Sequence, residues 1–578
     1  MNHLVIALAQ INPTVGALEH NADIILDRLQ TAAASGANLV AFPELCLSGY
    51  PPEDLVLKPH FVEDAQAQLE RIASAMPANV IAVIGTPFAR EGRVYNAAAI
   101  LQNGKLAGIY EKNALPNYGV FDEMRVFSAG DQPLVLAIGR ARLALHICED
   151  SWSTRYSSCR LLEGADLHAV LNLSASPYHR GKDAHRRSTL SATARHLKTP
   201  LLYCNLVGGQ DELVFDGRSM VISADGDTIA TARVFEEDLL FHRITLPPEA
   251  SAPANSNDWK TLHLNVPTIG TFSERPPATA AALAPDECAE VYAALTLGLA
   301  DYVNKNGFAR VVIAISGGID SALVAALAVD ALGAERVVGV TMPSRYSSSG
   351  TYTDAGELAR RLGIEFHDVP IRSLHEDYLD ELARLWPGRN SDTTEENLQA
   401  RIRGNIIMAL SNKFGWLVVT TGNKSEMATG YCTLYGDMAG GFALIKDVPK
   451  TLVFELCRWR NAKTPDAPPI PESIISRPPS AELRDNQRDQ DSLPPYDVLD
   501  GILERYVEKD WNAERIVADG FEAATVARVI SLVDGNEYKR RQGPPGIKIT
   551  PKAFGRDRRL PITNLYHERV KTRAKRGT

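Results

Sequence analysis

The segment IAISGGIDSALVAALA, residues 313–328, decides the fold of the second half of this chain. It opens with an apolar, strand-like run that stops at serine, two glycines and aspartate, and a helical pattern follows. A strand that enters a helix through a glycine-rich turn begins a βαβ unit. We therefore predict a parallel sheet flanked by helices.

Strand-like runs recur on both sides of this segment, with helical patterns between some of them. This alternation predicts an α/β fold in both halves of the chain. The second half contributes RVVGVTMP, IEFHDVPI and GWLVVTTGN. The first half contributes HLVIALAQI, NLVAFPEL, VIAVIGTPF, ARLALHICED, DLHAVLNLSASP and PLLYCNLVGG.

A change in composition separates the two halves. Residues 248–284 are rich in Pro, Ala, Ser and Thr, which is typical of a linker. We predict a first domain at 1–250, a linker at 251–284 and a second domain at 285–578. Residues 476–497, SRPPSAELRDNQRDQDSLPPYD, are polar and interrupted by proline, so we predict a mobile loop there.

Composition excludes several classes of protein. The 578 residues are 45% hydrophobic and 23% charged, as in globular enzymes, and the net charge of −9 argues against a nucleic-acid binder. The basic stretch 539–578 is either a solvated tail or an anion-binding segment. Seven scattered cysteines indicate neither a disulfide framework nor zinc. With no signal peptide or membrane span in the sequence, we expect a cytoplasmic protein that binds no membrane.

The turn after the first strand of the second half has the properties of a phosphate site. Gly317 and Gly318 allow the backbone to approach a ligand, and the unpaired N–H groups of the following helix favour an anion. Asp320 would repel phosphate unless a cation lies between them, which indicates Mg²⁺. The loop lacks both the Walker lysine and the GxGxxG spacing. A tight turn without a ligand remains the alternative at this point.

SGGIDS resembles the pyrophosphate-binding loop of the N-type ATP pyrophosphatases. Members of that family have a doubly wound parallel sheet of the adenine nucleotide alpha hydrolase type. They join AMP to an acid or carbonyl oxygen, release pyrophosphate, and let a nitrogen or sulfur nucleophile displace AMP. The resemblance implies that ATP is bound by Ser316, Gly317, Gly318, Asp320, Ser321, Thr421 and Lys450.

Three later segments resemble the NAD synthetases in order and spacing: ENLQARIRGN, TTGNKSEMATGYCTLYGDMAGGFALIKDVPK and EYKRRQGPP. The resemblance implies a Mg²⁺ site at Asp320 and Glu426, and Arg403 and Arg540 lie in the same motifs. MPSRYSSSGTYTDA departs from the pattern of the ammonia-using relatives and leaves the role of Arg345 open. The resemblance also places Ser480 where relatives have a threonine near the phosphates. The implied residues for deamido-NAD⁺ are Asn397, Arg401, Glu426, Asp437 and Lys539.

The first half carries FPELCLSGY, YEKNALPNYGVFDE and LALHICEDSW, which resemble the nitrilase superfamily. That family has an αββα sandwich with Glu, Lys and Cys at the ends of three strands, here Glu44, Lys112 and Cys148. A lone cysteine at a strand end would be a packing residue, but the three motifs in this order favour a nucleophile. His146, at an alternating strand position, is interpreted as a packing residue.

The chemistry of amide hydrolysis explains these residue types. A thiolate is the nucleophile, a lysine stabilises the thiolate and the oxyanion, and a glutamate moves the protons. The backbone N–H of Glu149 is a candidate for the oxyanion hole. The two halves together resemble the glutamine-dependent NAD synthetases, which implies that glutamine is bound by Tyr118, Ser176 and Lys182.

The resemblance implies a ligase that amidates deamido-NAD⁺ with ammonia from glutamine. An adenylate would be the intermediate, and AMP, pyrophosphate and glutamate would be by-products. The alternative is a related amidotransferase with another acceptor acid; a nucleotide sensor with a decayed site is disfavoured because the motif residues are present. We also expect an enclosed ammonia channel and a homo-oligomer, although the sequence does not determine the oligomeric state.

Overall fold

A computed structural model gives the structure of this chain and describes residues 3–246, 258–265 and 286–566. The chain forms two compact units, Met1–Ala284 and Pro285–Thr578. Most of the stretch expected as a linker, and the end of the basic stretch, lie outside the described residues. In the described parts, no helix combines the length and apolar character that crossing a membrane requires.

The first unit contains fifteen strands and four α-helices among its described residues. The helices are α1 (Leu18–Ala34), α2 (Pro59–Ala75), α3 (Ser157–Arg160) and α4 (Lys182–Leu197). The strands are β1 (His3–Gln10), β2 (Leu39–Ala41), β3 (Ile81–Arg90), β4 (Arg93–Gln102), β5 (Lys105–Glu111), β6 (Leu134–Ile138), β7 (Ala141–Ile147), β8 (Ala169–Ser174), β9 (Leu201–Asn205), β10 (Val207–Gln210), β11 (Leu213–Asp216), β12 (Met220–Ile222), β13 (Thr228–Thr231), β14 (Asp238–Thr245) and β15 (Lys260–Leu264).

Most of these strands form two sheets. The first has the order β14-β1-β2-β3-β4-β5, and the second has the order β13-β12-β9-β8-β7-β6-β15. Strand β15 lies inside the stretch expected as a linker, yet it pairs in parallel with β6, from Lys260 opposite Leu134 to Leu264 opposite Ile138. This part of the stretch therefore belongs to the sheet of the first unit.

The two sheets share a hydrophobic core. Leu4, Ile6 and Leu8 of β1 point into the same cluster as Leu143 and Leu145 of β7. Alternate residues of the first sheet pack instead against α1 and α2, and α4 contributes to a third cluster on the outer side of the second sheet. These strands are apolar on both faces because both faces are covered. The predicted αββα sandwich is confirmed.

The second unit contains five described strands in one parallel sheet, ordered β18-β17-β16-β19-β20. The strands are β16 (Val311–Ala314), β17 (Val337–Thr341), β18 (Glu365–Asp368), β19 (Leu417–Thr420) and β20 (Phe442–Ala443). The helices are α5 (Glu287–Lys305), α6 (Ile319–Leu332), α7 (Ser349–Leu362), α8 (Arg372–Ala383), α9 (Thr393–Phe414), α10 (Lys424–Thr429), α11 (Lys450–Lys463), α12 (Glu472–Ser476), α13 (Tyr496–Leu503), α14 (Ala513–Ala518), α15 (Ala523–Gly535) and α16 (Glu537–Arg540).

The strand order of this sheet reverses beside β16, since β17 and β18 lie on one side of it and β19 and β20 on the other. Ligands of open α/β sheets bind at such a switch point, beyond the carboxyl ends of the strands. The SGGIDS turn leaves β16 at this place. The predicted doubly wound parallel sheet is confirmed, and it positions the turn for a ligand.

Candidate active sites

The three residues predicted for amide hydrolysis meet at the carboxyl ends of strands from both sheets of the first unit. Lys112 directly follows β5, Cys148 directly follows β7, and Glu44 lies in the turn after β2. The Lys112 Nζ lies 2.6 Å from Glu44 Oε1, and both side chains are fully buried. Cys148 is close enough to both residues for their charges to shift the pKa of its thiol. The structure thus brings the three side chains together.

The backbone at Cys148 has an unusual conformation. The φ angle of Cys148 is +43°, a value that residues other than glycine rarely adopt. Cys148 is also the first residue of the short 3₁₀ helix Cys148–Ser151. Strain of this kind is commonly found at functional residues.

Glu123 belongs to the same cluster, although the sequence motifs did not single it out. Its carboxylate oxygens accept hydrogen bonds from Lys112 Nζ at 2.9 and 2.8 Å, and one of them accepts from the Tyr50 hydroxyl at 3.1 Å. Asn96 Nδ2 donates to Glu44 Oε1 at 2.8 Å. Glu123 is the last residue of the motif YEKNALPNYGVFDE, but nothing in the sequence indicates that its side chain contacts Lys112.

Burial and charge set the protonation of this cluster. Burial raises the pKa of Cys148 well above its usual range, and Glu44 adds to this rise while Lys112 opposes it. Burial alone would lower the pKa of Lys112, but Glu123 and Glu44 raise it well above normal. Burial raises the pKa of Glu123 to about 7, against the opposing effect of Lys112. Burial thus favours the neutral thiol of Cys148, and the two neighbouring carboxylates favour the ammonium form of Lys112.

One residue predicted to bind glutamine, Ser176, and one that was not predicted, Trp152, each leave a buried polar group unsatisfied. The Ser176 Oγ and the Trp152 Nε1 are buried and have no hydrogen-bond partner among the described residues. The Lys182 ammonium lies 4.2 Å from the Trp152 ring centroid, and its electrostatic interactions extend to Cys148. Buried polar groups are nearly always paired, so such a set indicates a polar ligand.

Other polar residues beside the cysteine have internal partners. The Tyr118 hydroxyl donates to Glu149 Oε2 at 2.8 Å, and the Tyr156 hydroxyl donates to Glu149 Oε1 at 2.9 Å. The His146 Nδ1 lies 2.7 Å from the Ser151 Oγ in a fully buried setting, and burial lowers the pKa of this histidine. These contacts agree with the interpretation of His146 as a packing residue.

The second unit has a large cavity, about 1140 Å³, at the switch point of its sheet. Of the seven residues predicted for ATP, all line it: Ser316, Gly317, Gly318, Asp320, Ser321, Thr421 and Lys450. Gly317 has a φ of +80°, and a Cβ added there would lie 2.1 Å from the Thr351 carbonyl oxygen. Glycine is required because the turn approaches another backbone segment closely.

Two carboxylates and a lysine meet at one side of this cavity. Lys450 Nζ forms an ion pair with Asp320 and lies 3.4 Å from Glu426 Oε1. Asn423 Nδ2 donates to Asp320 Oδ1 at 2.9 Å. Burial raises the pKa of Glu426 to about 8, although Lys450 opposes the rise. One ammonium group thus incompletely offsets the negative charge of the two carboxylates.

The donor set of this cluster fits Mg²⁺. In the described ranges 3–246, 258–265 and 286–566, no three or more His, Cys, Asp or Glu side chains group as a metal site. Mg²⁺ usually takes one or two protein carboxylates and completes its shell with water and substrate phosphates. Asp320 and Glu426 supply hard oxygen ligands of this kind beside a phosphate loop.

Four of the five residues predicted for the dinucleotide line the same cavity: Asn397, Glu426, Asp437 and Lys539. Arg401 does not line it; it is exposed, and its Nε donates to the Leu434 carbonyl at 3.3 Å. Arg403, two residues later, lines the cavity instead, and burial lowers its pKa to about 10. The N..AR.R segment lies on α9, so only one of the two arginines faces inward.

Three other basic residues noted in the sequence, Lys539, Arg540 and Arg345, differ in their surroundings. Lys539 Nζ donates to the carbonyls of Gly430 and Cys432 at 2.7 and 2.8 Å. Arg540 is buried against the Phe554 ring and donates to a backbone carbonyl, which makes it a packing residue. Arg345 lies over the Tyr346 ring and does not line the cavity.

The loop 476–497 contributes to the cavity wall, including Arg477, Ser480 and Asp489. Arg477 pairs with Asp354, and its Nη1 donates to the Gly317 carbonyl at 3.4 Å. Asp489 is buried and accepts from the Tyr496 hydroxyl at 2.7 Å. The sequence did not single out Arg477 or Asp489, because charged residues in a polar segment carry no signal of burial. The mobility of this loop stays a prediction.

Family models match both halves of the chain. The carbon-nitrogen hydrolase model matches residues 5–253, and the NAD synthase model matches residues 291–543. These matched ranges contain the buried Glu44–Lys112–Cys148 cluster and the cavity of the second unit respectively.

Several relatives are similar over nearly the whole chain. The glutamine-dependent NAD(+) synthetase of Thermotoga maritima is 47% identical, with 98% of this chain and 100% of the relative covered. That of Aquifex aeolicus is 46% identical, with 97% and 100% covered. The solved glutamine-dependent NAD⁺ synthetase of Acinetobacter baumannii, in complex with ADP, is 42% identical with a TM-score of 0.72, over 98% of this chain and 100% of that one.

Proposed function

The chain belongs to the glutamine-dependent NAD(+) synthetases, and from its two sites we propose how it divides the reaction of that family. As a member, it is a ligase that amidates deamido-NAD⁺ to NAD⁺ with ATP and with nitrogen from glutamine. The main support for a division between two active sites is the buried Glu44–Lys112 pair beside Cys148. It supports release of ammonia in the first unit and its use in the second.

Glutamine hydrolysis begins at Cys148. The Glu44 carboxylate takes the thiol proton as Sγ bonds to the side-chain amide carbon of glutamine, and the oxyanion forms beside the Lys112 ammonium. The C–N bond then breaks, Glu44 returns the proton to the leaving nitrogen, and ammonia departs from a thioester. Glu44 next takes a proton from water, whose oxygen attacks the thioester; glutamate leaves and the thiol is restored.

Three side chains hold the glutamine in this proposal. The Lys182 ammonium binds the α-carboxylate, because it is a partly buried cation beside the Trp152 ring that interacts electrostatically with Cys148. Ser176 adds its unpaired hydroxyl, and Tyr118 lies beside Glu149, to which its hydroxyl donates. The backbone N–H of Glu149 completes the oxyanion site with Lys112.

The second unit forms and consumes the adenylate. A carboxylate oxygen of deamido-NAD⁺ bonds to the α-phosphorus of ATP, and pyrophosphate leaves. Ammonia then attacks the carbonyl carbon, loses a proton, and displaces AMP with the electron pair of the broken C–O bond. The SGGIDS turn and Lys450 hold the phosphates, while Asn397, Asp437 and Lys539 bind the dinucleotide.

Asp320 and Glu426 are the residues that would hold Mg²⁺. When bound, the ion would supply positive charge that offsets the charge of the triphosphate and the departing pyrophosphate. Lys450, which lies beside the two carboxylates, would also offset part of the negative charge of the phosphates. Arg401 lies outside the cavity wall, and Arg403 of the same segment lines the cavity.

The remaining features of the proposal concern the protein as a whole. We assign the amidohydrolase domain to residues 1–250 and the synthetase domain to 285–578, with 251–284 as a linker that contributes β15 to the second sheet of the first unit. The protein acts in the cytoplasm as a homo-oligomer, and ammonia travels between the two active sites along an enclosed channel. Its ligands are small molecules rather than nucleic acid or membrane.

The central test is NAD⁺ formation with glutamine or with ammonium as the nitrogen source. Cys148→Ala is expected to lose glutamine-dependent NAD⁺ formation by at least about 1000-fold and to retain the ammonium-dependent rate. Cys204→Ala, a buried cysteine on β9 whose thiol donates to the backbone carbonyls of Ala9 and Ala41, is the matched control. Retention of the glutamine-dependent rate by the Cys148 variant would show that the nucleophile is another group.

A further inference from the structure

Asp150 is a fully buried carboxylate inside the short 3₁₀ helix that begins at Cys148. Its two oxygens accept four hydrogen bonds. The Oδ1 atom accepts from the backbone N–H groups of Asn113 and Ala114 at 3.1 and 2.8 Å. The Oδ2 atom accepts from the Tyr110 hydroxyl at 2.7 Å and from the Ile147 N–H at 2.9 Å.

The four donors lie close to two catalytic residues in the sequence. Asn113 and Ala114 directly follow Lys112, and Tyr110 precedes it by two residues. Ile147 directly precedes Cys148. Strands β5 and β7, which end at these places, belong to different sheets and share no backbone hydrogen bonds. One carboxylate therefore joins the chain around the lysine to the chain before the nucleophile.

We propose that Asp150 is a positioning residue that holds the Lys112 segment against the Cys148 turn, an inference that rests on the catalytic roles proposed above. Its side chain contacts neither the reacting atoms nor Tyr118, Ser176 or Lys182. Its effect passes through the backbone at positions 113–114 and 147. The spacing between the ammonium group and the thiol depends on both segments, and that spacing governs how well the lysine stabilises the thiolate and the oxyanion.

Position 150 requires a side chain that only accepts hydrogen bonds, and a carboxylate meets this requirement. It offers acceptor sites on both oxygens, and all four donors point at them. An asparagine has the same size and shape, but its amide nitrogen would face either two backbone N–H groups or the Ile147 N–H. One segment would then lose its anchor whichever way the amide turned. The buried N–H groups left unpaired would move toward other partners.

The conformation of the nucleophile adds to this argument. Cys148 is held at a φ of +43°, and Asp150 accepts the Ile147 N–H immediately before it. The Asn172 Nδ2 also donates to the Cys148 carbonyl at 3.2 Å. A strained backbone persists only where surrounding contacts hold it, so losing the Ile147 contact is expected to let the turn relax.

The test uses the full-length protein with Asp150→Asn. We expect kcat for glutamine hydrolysis to fall about 100-fold, because displacements near 1 Å have effects of that size. The KM for glutamine should change less than about threefold, since Asp150 does not touch the substrate. The ammonium-dependent rate of NAD⁺ formation should be unchanged. An unchanged kcat, or a loss confined to KM, would overturn the proposal.

A second readout separates positioning from general loss of structure. Alkylation of Cys148 by iodoacetamide, taken as the difference from the Cys148→Ala protein, should shift to higher pH in Asp150→Asn. The reason is that a displaced Lys112 stabilises the thiolate less. An alkylation profile that matches the parent protein would contradict the proposal even if kcat fell.

Tyr110→Phe keeps the proposal testable if Asp150→Asn does not fold. It removes one donor and leaves the three backbone donors, so kcat for glutamine should fall about threefold to tenfold. Tyr95→Phe removes a hydroxyl from β4 and should leave kcat unchanged. Equal rates for the two variants would overturn the proposal. If Cys148→Ala kept glutamine-dependent activity, the catalytic assignment itself would fail, whereas a wrong positioning role would leave that assignment standing.

Discussion

The Lys112 ammonium lies 2.6 Å from a carboxylate oxygen of Glu44, and neither side chain is exposed to solvent. Glu123 adds a second buried carboxylate at 2.8 Å from the same nitrogen. Charges removed from water are tolerated only when they are paired and hydrogen-bonded. The structure of the first unit and the chemistry proposed for it therefore depend on the same contact.

Removing the lysine should destabilise the first unit. Lys112→Ala leaves Glu44 and Glu123 without their shared cation, and we expect the free energy of unfolding of this unit to fall by about 3–5 kcal/mol. Denaturant unfolding followed by a probe in the first unit measures the change. Arg71→Ala breaks an exposed ion pair with Asp23 and should cost no more than about 1 kcal/mol. Equal losses for the two variants would show that burial of the pair does not matter.

The residues of the cluster should act as one unit in catalysis. Glu44→Gln is expected to abolish glutamine-dependent NAD⁺ formation and to spare the ammonium-dependent rate. The double variant with Cys148→Ala should be about as inactive as either single variant, because each removes the same step. Steady-state rates of the two single variants and the double variant test this. Losses that multiply would indicate that the two side chains act independently.

The two carboxylates of the synthetase cavity should affect both nitrogen sources. Asp320→Ala and Glu426→Ala are each expected to lower both rates at least about 100-fold and to raise the Mg²⁺ concentration needed for half activity. Titration of the rate with Mg²⁺ gives both values. Asp330→Ala is a control on the same helix, α6, where Asp330 pairs with Arg460. A Mg²⁺ requirement in Asp320→Ala equal to that of the control would contradict the metal role.

Glutamine binding should weaken as pH rises through about 8. Burial, with a contribution from Arg186, lowers the pKa of Lys182 to about 8, so its ammonium form prevails below this pH and is lost above it. An ammonium group binds the glutamine carboxylate and a neutral amine does not, so kcat/KM for glutamine should fall on the alkaline side.

Lys182→Arg should remove this alkaline fall, because a guanidinium stays protonated. Lys198→Arg, an exposed position after α4, should keep it. The pH profiles of kcat/KM for the three proteins provide the measurement. A fall near pH 8 that persists in Lys182→Arg would assign the titration to another group.

Ammonia made in the first unit should reach the second without mixing with solvent. Amide-labelled glutamine is supplied together with excess unlabelled ammonium near pH 7, and the label in NAD⁺ is measured by mass spectrometry. We expect NAD⁺ to keep most of the glutamine label, because enclosure prevents the loss of ammonia to protonation in water. Label diluted to the ratio of the bulk ammonium pool would rule out the channel.

Local pattern was enough to predict the α/β class, the strand–turn–helix at SGGIDS and the types of residue that carry the chemistry. Strand and helix periodicity arises from neighbours along the chain, and the glycines at 317 and 318 are a local steric requirement. The motif residues also stand at strand ends, where parallel strands of a sheet bring side chains to one edge. Resemblance then identified which ends belong together.

Contacts between distant segments were decided only by the tertiary structure. Glu123 contacts Lys112, Asp150 accepts a hydrogen bond from the backbone that follows Lys112, and Asp489 lines the cavity of the second unit. Glu123 and Asp150 lie within the motifs of the first half, but nothing in the local sequence shows which groups these three acids contact. Arg403 rather than Arg401 lines the cavity. Whether an acidic or basic side chain is solvated or buried depends on which segments pack over it, and that packing brings together residues far apart in the chain.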